Sequence, residues 1–577
     1  MCGIAGILQS KGNVSLSSLS LLSNALIHRG PDGEGVWINS KQSVGFVHRR
    51  LSIIDLSNNA RQPMHSFDDR YVITFNGEIY NYIELRKLLQ NKGYKFKTNS
   101  DTEVLLNLYH CFGYDCLKML DGMFAFAIWD NLEEHLFIAR DRFGEKPLYY
   151  TFQNGTLYFA SEIKAFFSID IPKVSNDNAW YSFIAHGNIH DSEHPYATFY
   201  KNIFQIRNAT YIVVDNTCTI VKEVQYWSLD SIPTNTKITF TQAVDQFKEI
   251  FNESILLRLR SDVPIGSSLS GGLDSSSIVL TTNKYIDPND VQSIFSARFE
   301  NFALDEGVYI DYVTSSAKNI KKYEVYPKAS EFLSDFDSLC YYQDEPFTSA
   351  SVYAQFAVMK LAKQNNITVL LDGQGADEQL GGYLHYYQYK LNNLFLNSKY
   401  SEFLIEKNKY NSLHFGKDAF ALPKRILLWK IMKLFNSKSV PYTENLKEVL
   451  KQDTQNGLLQ SLLRYCDRNS MAFSREVRLP FLSYKLAEFI ASLPIEFLLH
   501  EGWTKLILRK AEEDTVPSQI TWRKDKIGYE PPQDLWLKDL NSFVSSFKLN
   551  KHIEDYTNGN PVQNVTNWHW LMINKFY

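Results

Sequence analysis

The hydrophobic pattern of the chain changes at a polar, proline-containing segment, residues 228–237. Before this segment, short apolar or alternating runs are broken by turn signals, which is typical of packed β-sheets. Predicted strands lie at residues 43–47, 71–75, 125–129 and 135–139, and predicted helices lie between them at residues 83–92 and 102–111. A chain of 577 residues is too long for one ordinary core. We therefore interpret residues 228–237 as the linker between two large domains.

The pattern after the linker favours a different architecture. Buried strand-like runs at residues 291–298 and 367–371 alternate with amphipathic helices at residues 240–258 and 353–364. Strands that alternate with longer helices are typical of an α/β domain with a parallel sheet. From about Leu384 onward the helical pattern dominates, so we expect a helical C-terminal part.

Charge and cysteine usage argue against several classes of protein. Lys and Arg total 60 and Asp and Glu total 64, a net charge of −4, so we expect neither a nucleic-acid nor a membrane partner. The N-terminus lacks a signal-peptide pattern, and no apolar run reaches 18 residues. The six cysteines form no CxxC pair, which argues against a structural zinc site. We predict that Cys111 and Cys116 are buried thiols and that the protein works in the reducing cytoplasm.

A cysteine directly follows the initiator methionine. Removal of Met1 would place the thiol and the α-amine of Cys2 on one residue. An α-amine titrates near pH 8 and can accept the thiol proton, which is the chemistry of N-terminal nucleophiles. A cysteine there by chance is an equally good interpretation of these two residues alone.

Six motifs in the first 145 or so residues decide between these interpretations. They are residues 2–6 (CGIAG), 29–33 (RGPDG), 48–53 (HRRLSI), 75–81 (FNGEIYN), 100–103 (SDTE) and 139–144 (ARDRFG). Together they closely resemble the glutaminase domain of the glutamine-dependent asparagine synthetase family, and the resemblance covers nearly the whole chain. It implies an α+β N-terminal nucleophile glutaminase domain of packed β-sheets with flanking helices over residues 2–227. An α/β ATP-pyrophosphatase domain with a parallel sheet and a helical C-terminal part would follow over residues 240–577.

Hydrolysis of glutamine needs a nucleophile and an oxyanion hole. Cys2 is the predicted nucleophile. The side-chain amide of Asn76 and the backbone N–H of Gly77 are the predicted oxyanion donors, and one such donor is typically worth about 3–4 kcal/mol.

The resemblance adds the groups that would hold the two charged ends of glutamine. It implies that Arg50 binds the α-carboxylate as a bidentate fork and that Glu78 and Asp101 meet the amine. Taken alone, Arg50 or Asp101 is better interpreted as a surface charge; the ordered set of motifs favours the functional interpretation.

A second glycine-rich stretch, residues 263–277 (VPIGSSLSGGLDSSS), predicts a phosphate-binding loop. Glycines let backbone N–H groups approach anionic oxygens, and the helix that follows adds partial positive charge. Residues 263–277 lack the GxxxxGK[ST] pattern of kinases. They resemble the SGGxDS loop of ATP pyrophosphatases rather than an ordinary Gly-Ser turn.

Another glycine-rich loop, residues 371–383 (LDGQGADEQLGGY), also follows a strand-like run. This loop and residues 263–277 can therefore face one nucleotide. The residues predicted to bind ATP are Ser270, Gly271, Gly272, Asp274, Ser275, Ser276 and Asp372, and the resemblance implies that backbone groups at Leu269, Ala297 and Gly373 hold the adenosine part. Asp274 is a predicted Mg²⁺ ligand because Mg²⁺ prefers carboxylates shared with phosphates, and the resemblance adds Asp377. ATP and Mg²⁺ are the implied cofactors.

Basic residues toward the C-terminus also match segments of the family. Lys526 is the leading candidate for stabilising charge on the departing pyrophosphate, and Lys524 competes with it. Four arginines either form structural salt bridges or bind the acceptor, namely Arg464, Arg468, Arg475 and Arg478.

Several departures from the family pattern cluster where the acceptor should lie. Gln374 and Asp372 stand where the family carries Glu and Ser, Ser483 replaces Asp, and residues 344–351 contain no Arg. An amide has no useful basicity, so the base for ammonia attack is open.

The expected partners are glutamine and a small carboxylate. L-Aspartate is the leading acceptor, and a sugar uronate is the alternative. An inactive regulatory protein is a further interpretation, which the presence of Cys2 and Asp274 disfavours. The sequence leaves a homodimer open.

Overall fold

The computed structural model describes residues 1–187, 196–414, 445–525, 530–539 and 565–577, together with Ile189 and His194. Its first half contains two six-stranded antiparallel sheets, with strand orders β10-β8-β9-β1-β3-β2 and β12-β11-β7-β6-β5-β4. The strands are β1 Gly3–Gln9, β2 Gly33–Ile38, β3 Val44–Arg50, β4 Met64–His65, β5 Tyr71–Ile79, β6 Gly122–Asp130, β7 His135–Arg140, β8 Tyr149–Gln153, β9 Thr156–Ala160, β10 Phe204–Gln205, β11 Thr210–Asp215 and β12 Ile220–Gln225.

Strand β6 shows why the two sheets stack. Its residues alternate between two faces, as in any β-strand. Phe124 and Phe126 face the helical side of their sheet, and Ala127 and Trp129 face the other sheet. Burial on both faces therefore makes β6 a nearly continuous apolar run.

Helices cover both outer faces of the stacked sheets. Side chains of α1 (Leu16–Ala25) pack on the first sheet, and side chains of α2 (Tyr82–Asn91) and α3 (Asp101–Phe112) pack on the second. The short helices α4 (Cys116–Met119) and α5 (Lys164–Phe167) and helix α6 (Asp177–His186) complete the described helices of this half. This arrangement confirms the predicted fold of packed sheets with flanking helices.

The second half contains a five-stranded parallel sheet, which confirms the predicted α/β domain. Its strands are β13 Ile265–Ser268, β14 Gln292–Ala297, β15 Ile320–Val325, β16 Val369–Leu371 and β17 Glu476–Arg478. In the order β15-β14-β13-β16-β17, the chain runs outward from β13 in one direction and resumes at β16 on its other side. The two glycine-rich loops thus leave adjacent strands at the point where the strand order reverses, which is where α/β sheets bind ligands.

Helices surround this sheet and form the C-terminal part. They are α7 Phe240–Arg258, α8 Leu273–Tyr285, α9 Gly307–Ser316, α10 Ala329–Gln343, α11 Ser351–Gln364, α12 Ala376–Leu380, α13 Leu384–Leu396, α14 Tyr400–Leu413, α15 Leu446–Gln455, α16 Leu458–Met471, α17 Tyr484–Ser492, α18 Leu506–Ala511, α19 Ser518–Thr521, α20 Gln533–Asp539 and α21 Asn567–Phe576. Helix α7 has the predicted bounds because Thr239 and Gln242 form a capping box at its start.

The two halves meet at a buried, charged interface. Arg29 donates to Asp467 over 2.8 and 3.0 Å, and the backbone N–H of Ile163 donates to Asp344 over 2.9 Å. The predicted linker is packed rather than extended, because the backbone N–H of Leu229, which is buried, donates to Gln455. The exact domain boundaries stay a prediction.

Two expectations from composition can be compared with the described residues. Cys116 is fully buried, whereas Cys111 is only partly buried, so the prediction of two buried thiols is wrong for Cys111. It lies in the last turn of α3, which is less covered than the middle of the helix. Within the described ranges, no helix is long and apolar enough to cross a bilayer.

Candidate active sites in the two domains

The thiol of Cys2 lies at the start of the central strand β1 and is 8% exposed. Its backbone N–H donates to Asn76 Oδ1 over 3.0 Å, and Sγ lies 3.9 Å from the carbonyl oxygen of Leu51. Burial raises the pKa of the Cys2 thiol, while the ammonium of Met1 and the guanidinium of Arg50 oppose this rise. A buried thiol with a raised pKa needs a base to become a nucleophile.

Asn76 and Gly77 sit beside the thiol on β5. Asn76 Nδ2 is buried and has no hydrogen-bond partner among the described residues. A buried donor left unpaired costs about 1–3 kcal/mol, so this N–H is available to a developing oxyanion. A Cβ on Gly77 would lie 2.1 Å from the carbonyl oxygen of Met123, so only glycine allows this approach of the backbone.

The charge of Glu78 raises the pKa of the Cys2 thiol, and the charge of Asp101 in turn raises that of Glu78. Burial raises the pKa of Glu78 well above its usual value, and Glu476 and Asp101 add to the rise. Burial also raises the pKa of Asp101 to about 6, although the backbone N–H of Ile79 donates to it over 2.9 Å. Burial is the main cause of both raised pKa values and neighbouring carboxylates add to it, so an incoming ammonium group would favour the ionised forms.

Glu476 comes from β17 of the second domain, and the sequence analysis missed it. One oxygen accepts from Arg478 over 2.6 Å, and the other lies 3.3 Å from the Met1 ammonium. Arg478 Nη2 also lies 4.0 Å from Glu78. The sequence signal was weak because only the three-dimensional structure brings this strand to the thiol.

Arg50 at the end of β3 holds the loop that follows it. Its guanidinium donates to the carbonyl oxygens of Ser57, over 2.8 Å, and Asp55. Its charge helps to lower the pKa of the Cys2 thiol, so the guanidinium acts on the thiol electrostatically.

Both glycine-rich loops line one cavity in the second domain. The residues predicted to bind ATP or metal that line it are Leu269, Ser270, Gly272, Asp274, Ser275, Asp372, Gly373 and Asp377. Gly271 and Ser276 lie next to lining residues and Ala297 lies two residues after Phe295, which lines the cavity, but none of the three lines it. Gly271 has φ +85°, and a Cβ there would approach Tyr309 to 3.0 Å, so the loop requires glycine at this turn.

The first loop ends at the N-terminus of α8. Gly272 is its N-cap residue and provides no side chain to occupy the first N–H groups. The hydroxyl of Ser275 instead accepts from the backbone N–H of Ser270 over 3.2 Å and fixes the turn. Free N–H groups and the positive end of the helix dipole suit an anionic ligand.

Lys505 joins the two loops and was not found from the sequence. Its Nζ lies 2.6 Å from Asp274 Oδ2 and 2.5 Å from Asp377 Oδ1, and the residue is 3% exposed. Asp274 Oδ1 is buried and has no hydrogen-bond partner in the described part of the chain. Oxygens of this kind fit Mg²⁺, which uses one or two carboxylates together with phosphates.

A second cavity, also lined by Asp274, contains both cations and acids, among them Glu306 and Asp525, which pair with Arg523. It is lined by residues that include Lys505, Arg509, Arg523 and Lys524. The structure therefore brings Lys524 close to the loop, whereas Lys526 lies outside the described residues. Cations here can bind the phosphates that leave a nucleotide.

The four arginines considered for acceptor binding are engaged elsewhere. Arg464 pairs with Glu345 over 3.2 Å, and Arg478 pairs with Glu476. Arg468 pairs with three carboxylates, those of Asp467, Glu162 and Asp344. Arg475 donates to backbone carbonyls. None of them lines the nucleotide cavity. The structural interpretation of these arginines is therefore favoured.

The rest of the cavity wall combines the apolar side chains of Phe295, Val352, Val358 and Leu462 with polar and acidic groups. The polar and acidic groups include Ser349, Ser351, Gln355, Gln374, Glu378 and Tyr465. Gln374 Oε1 is buried and has no hydrogen-bond partner among the described residues. Burial, with the nearby charge of Asp377, raises the pKa of Glu378 to about 7.

Comparison with known proteins finds two family models in succession. The model described as a glutamine amidotransferase domain matches residues 1–227, and the model described as asparagine synthase matches residues 246–563. Glutamine-hydrolyzing asparagine synthetase 1 of Bacillus subtilis is 30% identical, and the match covers 96% of this chain and 91% of that protein. A putative asparagine synthetase of Methanocaldococcus jannaschii is 34% identical over 81% of this chain and 91% of that protein. Amidase chry2 of Gibberella zeae is 28% identical over 66% of this chain and 59% of that protein.

Proposed function

The chain belongs to the asparagine synthase family and is a glutamine- and ATP-dependent amidotransferase, and from this premise we propose that it converts L-aspartate into L-asparagine. The observation that carries the proposal is the pairing, in one chain, of a buried thiol site with a cavity shared by two glycine-rich loops. Relatives that match most of the chain are named asparagine synthetases, which supports aspartate as the acceptor.

In the first domain, the proposed chemistry begins after Met1 is removed. The α-amine of Cys2 takes the thiol proton, and Sγ attacks the carboxamide carbon of glutamine. The unpaired N–H of Asn76 and the backbone of Gly77 stabilise the tetrahedral oxyanion. The α-ammonium gives this proton to the leaving nitrogen, ammonia departs as the C–N bond breaks, and water hydrolyses the thioester to glutamate and the free thiol.

The excess carboxylates give the first site its preference for a free amino acid. Glu78 and Asp101 would meet the ammonium of glutamine, whose charge would offset the burial and, to a lesser extent, the repulsion that raise their pKa values. Arg50 would bind the α-carboxylate at the opposite end.

In the second domain, a carboxylate oxygen of the acceptor attacks the α-phosphorus of ATP, which forms an acyl-adenylate and releases pyrophosphate. The backbone at Gly272 and the positive end of α8 would hold the phosphates. Asp274 and Asp377 would bind Mg²⁺, which supplies charge neutralisation on those phosphates. Lys505 orients both carboxylates and faces the departing pyrophosphate, together with Lys524.

Ammonia then attacks the carbonyl carbon of the adenylate, a C–N bond forms, and the C–O bond to AMP breaks. Passage of ammonia through the packed interface between the domains would raise its effective concentration at the acyl-adenylate. We keep a cytoplasmic location and a homodimer as further proposals.

One observation favours a second candidate acceptor, a sugar uronate. The cavity wall offers hydroxyl and amide groups at Ser349, Ser351 and Gln355, which suit a polyhydroxylated ligand. The four arginines that could have bound a second carboxylate are engaged in other pairs.

The test is pyrophosphate release with ATP, glutamine and a panel of L-aspartate, L-glutamate and nucleotide-linked uronates. Saturable release with aspartate, together with asparagine identified by mass, is the expected result. Release with a uronate beside no response to aspartate would replace the first acceptor with the second.

A further inference from the structure

Glu145 is a buried carboxyl group between the two sites that the proposed chemistry does not use. It is 4% exposed, and neither of its side-chain oxygens has a hydrogen-bond partner among the described residues. Leaving a buried polar group unpaired costs several kcal/mol, so a ligand that forms hydrogen bonds with this carboxyl group would stabilise it.

The side chain lines a cavity at the domain interface. Met1 and Lys146 line it from the first domain, and Leu463, Cys466, Asp467, Ser470, Val477 and Leu479 line it from the second. Met1 is 1% exposed and directly precedes Cys2. Its removal would therefore extend this cavity toward the thiol.

The other end of the cavity approaches the nucleotide site through helix α16. Cys466 lines the interface cavity, while its neighbour Tyr465 lines the nucleotide cavity. The charges of Asp372, on the nucleotide side, and of Glu145 both help to raise the pKa of Cys466, which burial raises most. A single helix thus separates Glu145 from the place where the adenylate would form.

The charge state of Glu145 suits a small neutral ligand. Burial raises its pKa to about 8, with Asp141 and Asp121 adding to the rise and Arg258 and Lys146 opposing it. At neutral pH the group is mainly a carboxylic acid, with one O–H donor and a carbonyl acceptor. Ammonia offers one lone pair and N–H donors, so the two match without burying a pair of charges.

We propose that Glu145 binds ammonia on its way from Cys2 to the acyl-adenylate. The O–H of Glu145 donates to the nitrogen of ammonia, an N–H of ammonia donates to the carbonyl oxygen, and no covalent bond changes. The inference rests on the proposed function, because it requires ammonia to be made at one site and used at the other.

The experiment compares Glu145→Leu with Glu145→Gln in the full-length chain. The readout is amide formed per glutamate released from glutamine, measured beside amide formation from ammonium. We expect Glu145→Leu to lower the coupling ratio about fivefold, which corresponds to one hydrogen bond of about 1 kcal/mol. We expect Glu145→Gln, which keeps a donor and an acceptor, to stay near the wild-type ratio.

The role of Glu145 and the proposed function are rejected by different results. A Glu145→Leu variant that couples as well as the wild type would overturn the role of Glu145. The role would also be lost if glutamine-driven and ammonium-driven synthesis fell by the same factor, since that indicates only damage to the fold. A wild-type protein that forms no amide from either nitrogen source would instead reject the proposed function, and this inference with it.

Discussion

The ammonium of Lys505 lies 2.6 Å from the carboxylate of Asp274, although 231 residues separate them in the chain. Lys505 also contacts Asp377, so one cation joins the two loops that line the nucleotide cavity. A buried charge left without its partner typically costs about 3–5 kcal/mol. This cation therefore fixes the position of both carboxylates.

We predict that Lys505→Met reduces acceptor-dependent pyrophosphate release by about 100-fold or more, because the loops lose their shared cation and the pyrophosphate loses a stabilising charge. Glutamine hydrolysis should change little, since Lys505 belongs to the second domain. Lys510→Met is the matched control, because Lys510 is more exposed and contacts Glu513 and the ring of Trp522 rather than the carboxylates of the two loops. Equal losses in both variants would contradict the assignment.

Asp274→Asn and Asp377→Asn should each abolish pyrophosphate release with either glutamine or ammonium as the nitrogen source. Both carboxylates are proposed Mg²⁺ ligands, and an amide oxygen binds this ion less tightly. Glutaminase activity should survive in part. Raising the Mg²⁺ concentration should partly restore release, and a variant with wild-type release at low Mg²⁺ would exclude a metal role for that residue.

We predict that Cys2→Ala removes glutamine-driven synthesis but retains amide formation from ammonium, because the thiol acts only at the first site. A chain that keeps Met1 should behave in the same way, since it has no α-amine on Cys2 to take the thiol proton. The measurement is glutamate release beside ammonium-driven pyrophosphate release. Wild-type glutamate release by Cys2→Ala would refute the choice of nucleophile.

Much of the fold and of the first site could be predicted from local sequence. Cys2, Asn76 and Gly77 belong to short motifs, and the strands that carry them have clear apolar patterns. Lys505 and Glu476 could not be assigned in the same way. Each meets its partners only through contacts between distant segments, which no local pattern encodes.

The arginines of α16 and β17 also show what local sequence cannot predict. Their residue type permitted either an acceptor site or structural ion pairs. Arg468 lies beside three carboxylates at the domain interface, those of Glu162, Asp344 and Asp467. Because buried carboxylates need cations, interface packing rather than substrate recognition determines where this arginine points.

The raised pKa of Asp101 makes the free energy of unfolding depend on pH. Its pKa rises from 3.8 to about 6 on folding, so the folded state holds the proton more tightly than the unfolded state. This stabilisation is complete below pH 3.8 and is lost as pH rises through 6. At pH 7 the ionised carboxylate therefore costs about 3 kcal/mol relative to acid pH.

We predict that Asp101→Asn raises the free energy of unfolding at pH 7, in the absence of glutamine, and raises KM for glutamine. The gain in stability should shrink as pH falls toward 4, where the wild-type carboxyl is protonated in the folded state and partly protonated in the unfolded state. Denaturant unfolding of both proteins at the two pH values measures this. A gain that is equal at both pH values would show that titration of Asp101 is not its source.

Gln374 provides the last prediction, because its amide cannot accept a proton from ammonia. Gln374→Glu places a carboxylate in the nucleotide cavity, in the wall that also contains Asp372 and Glu378. Repulsion should raise the pKa of the new group, so that it can act as a base near neutral pH. We expect amide formation from ammonium to accelerate, by up to about 100-fold, while the order of preference among acceptors stays the same. Gln355→Glu is the control, since Gln355 lines the same cavity but accepts a hydrogen bond from Asn469. A changed acceptor order without acceleration would mean that residue 374 recognises the acceptor instead of standing where a base could act.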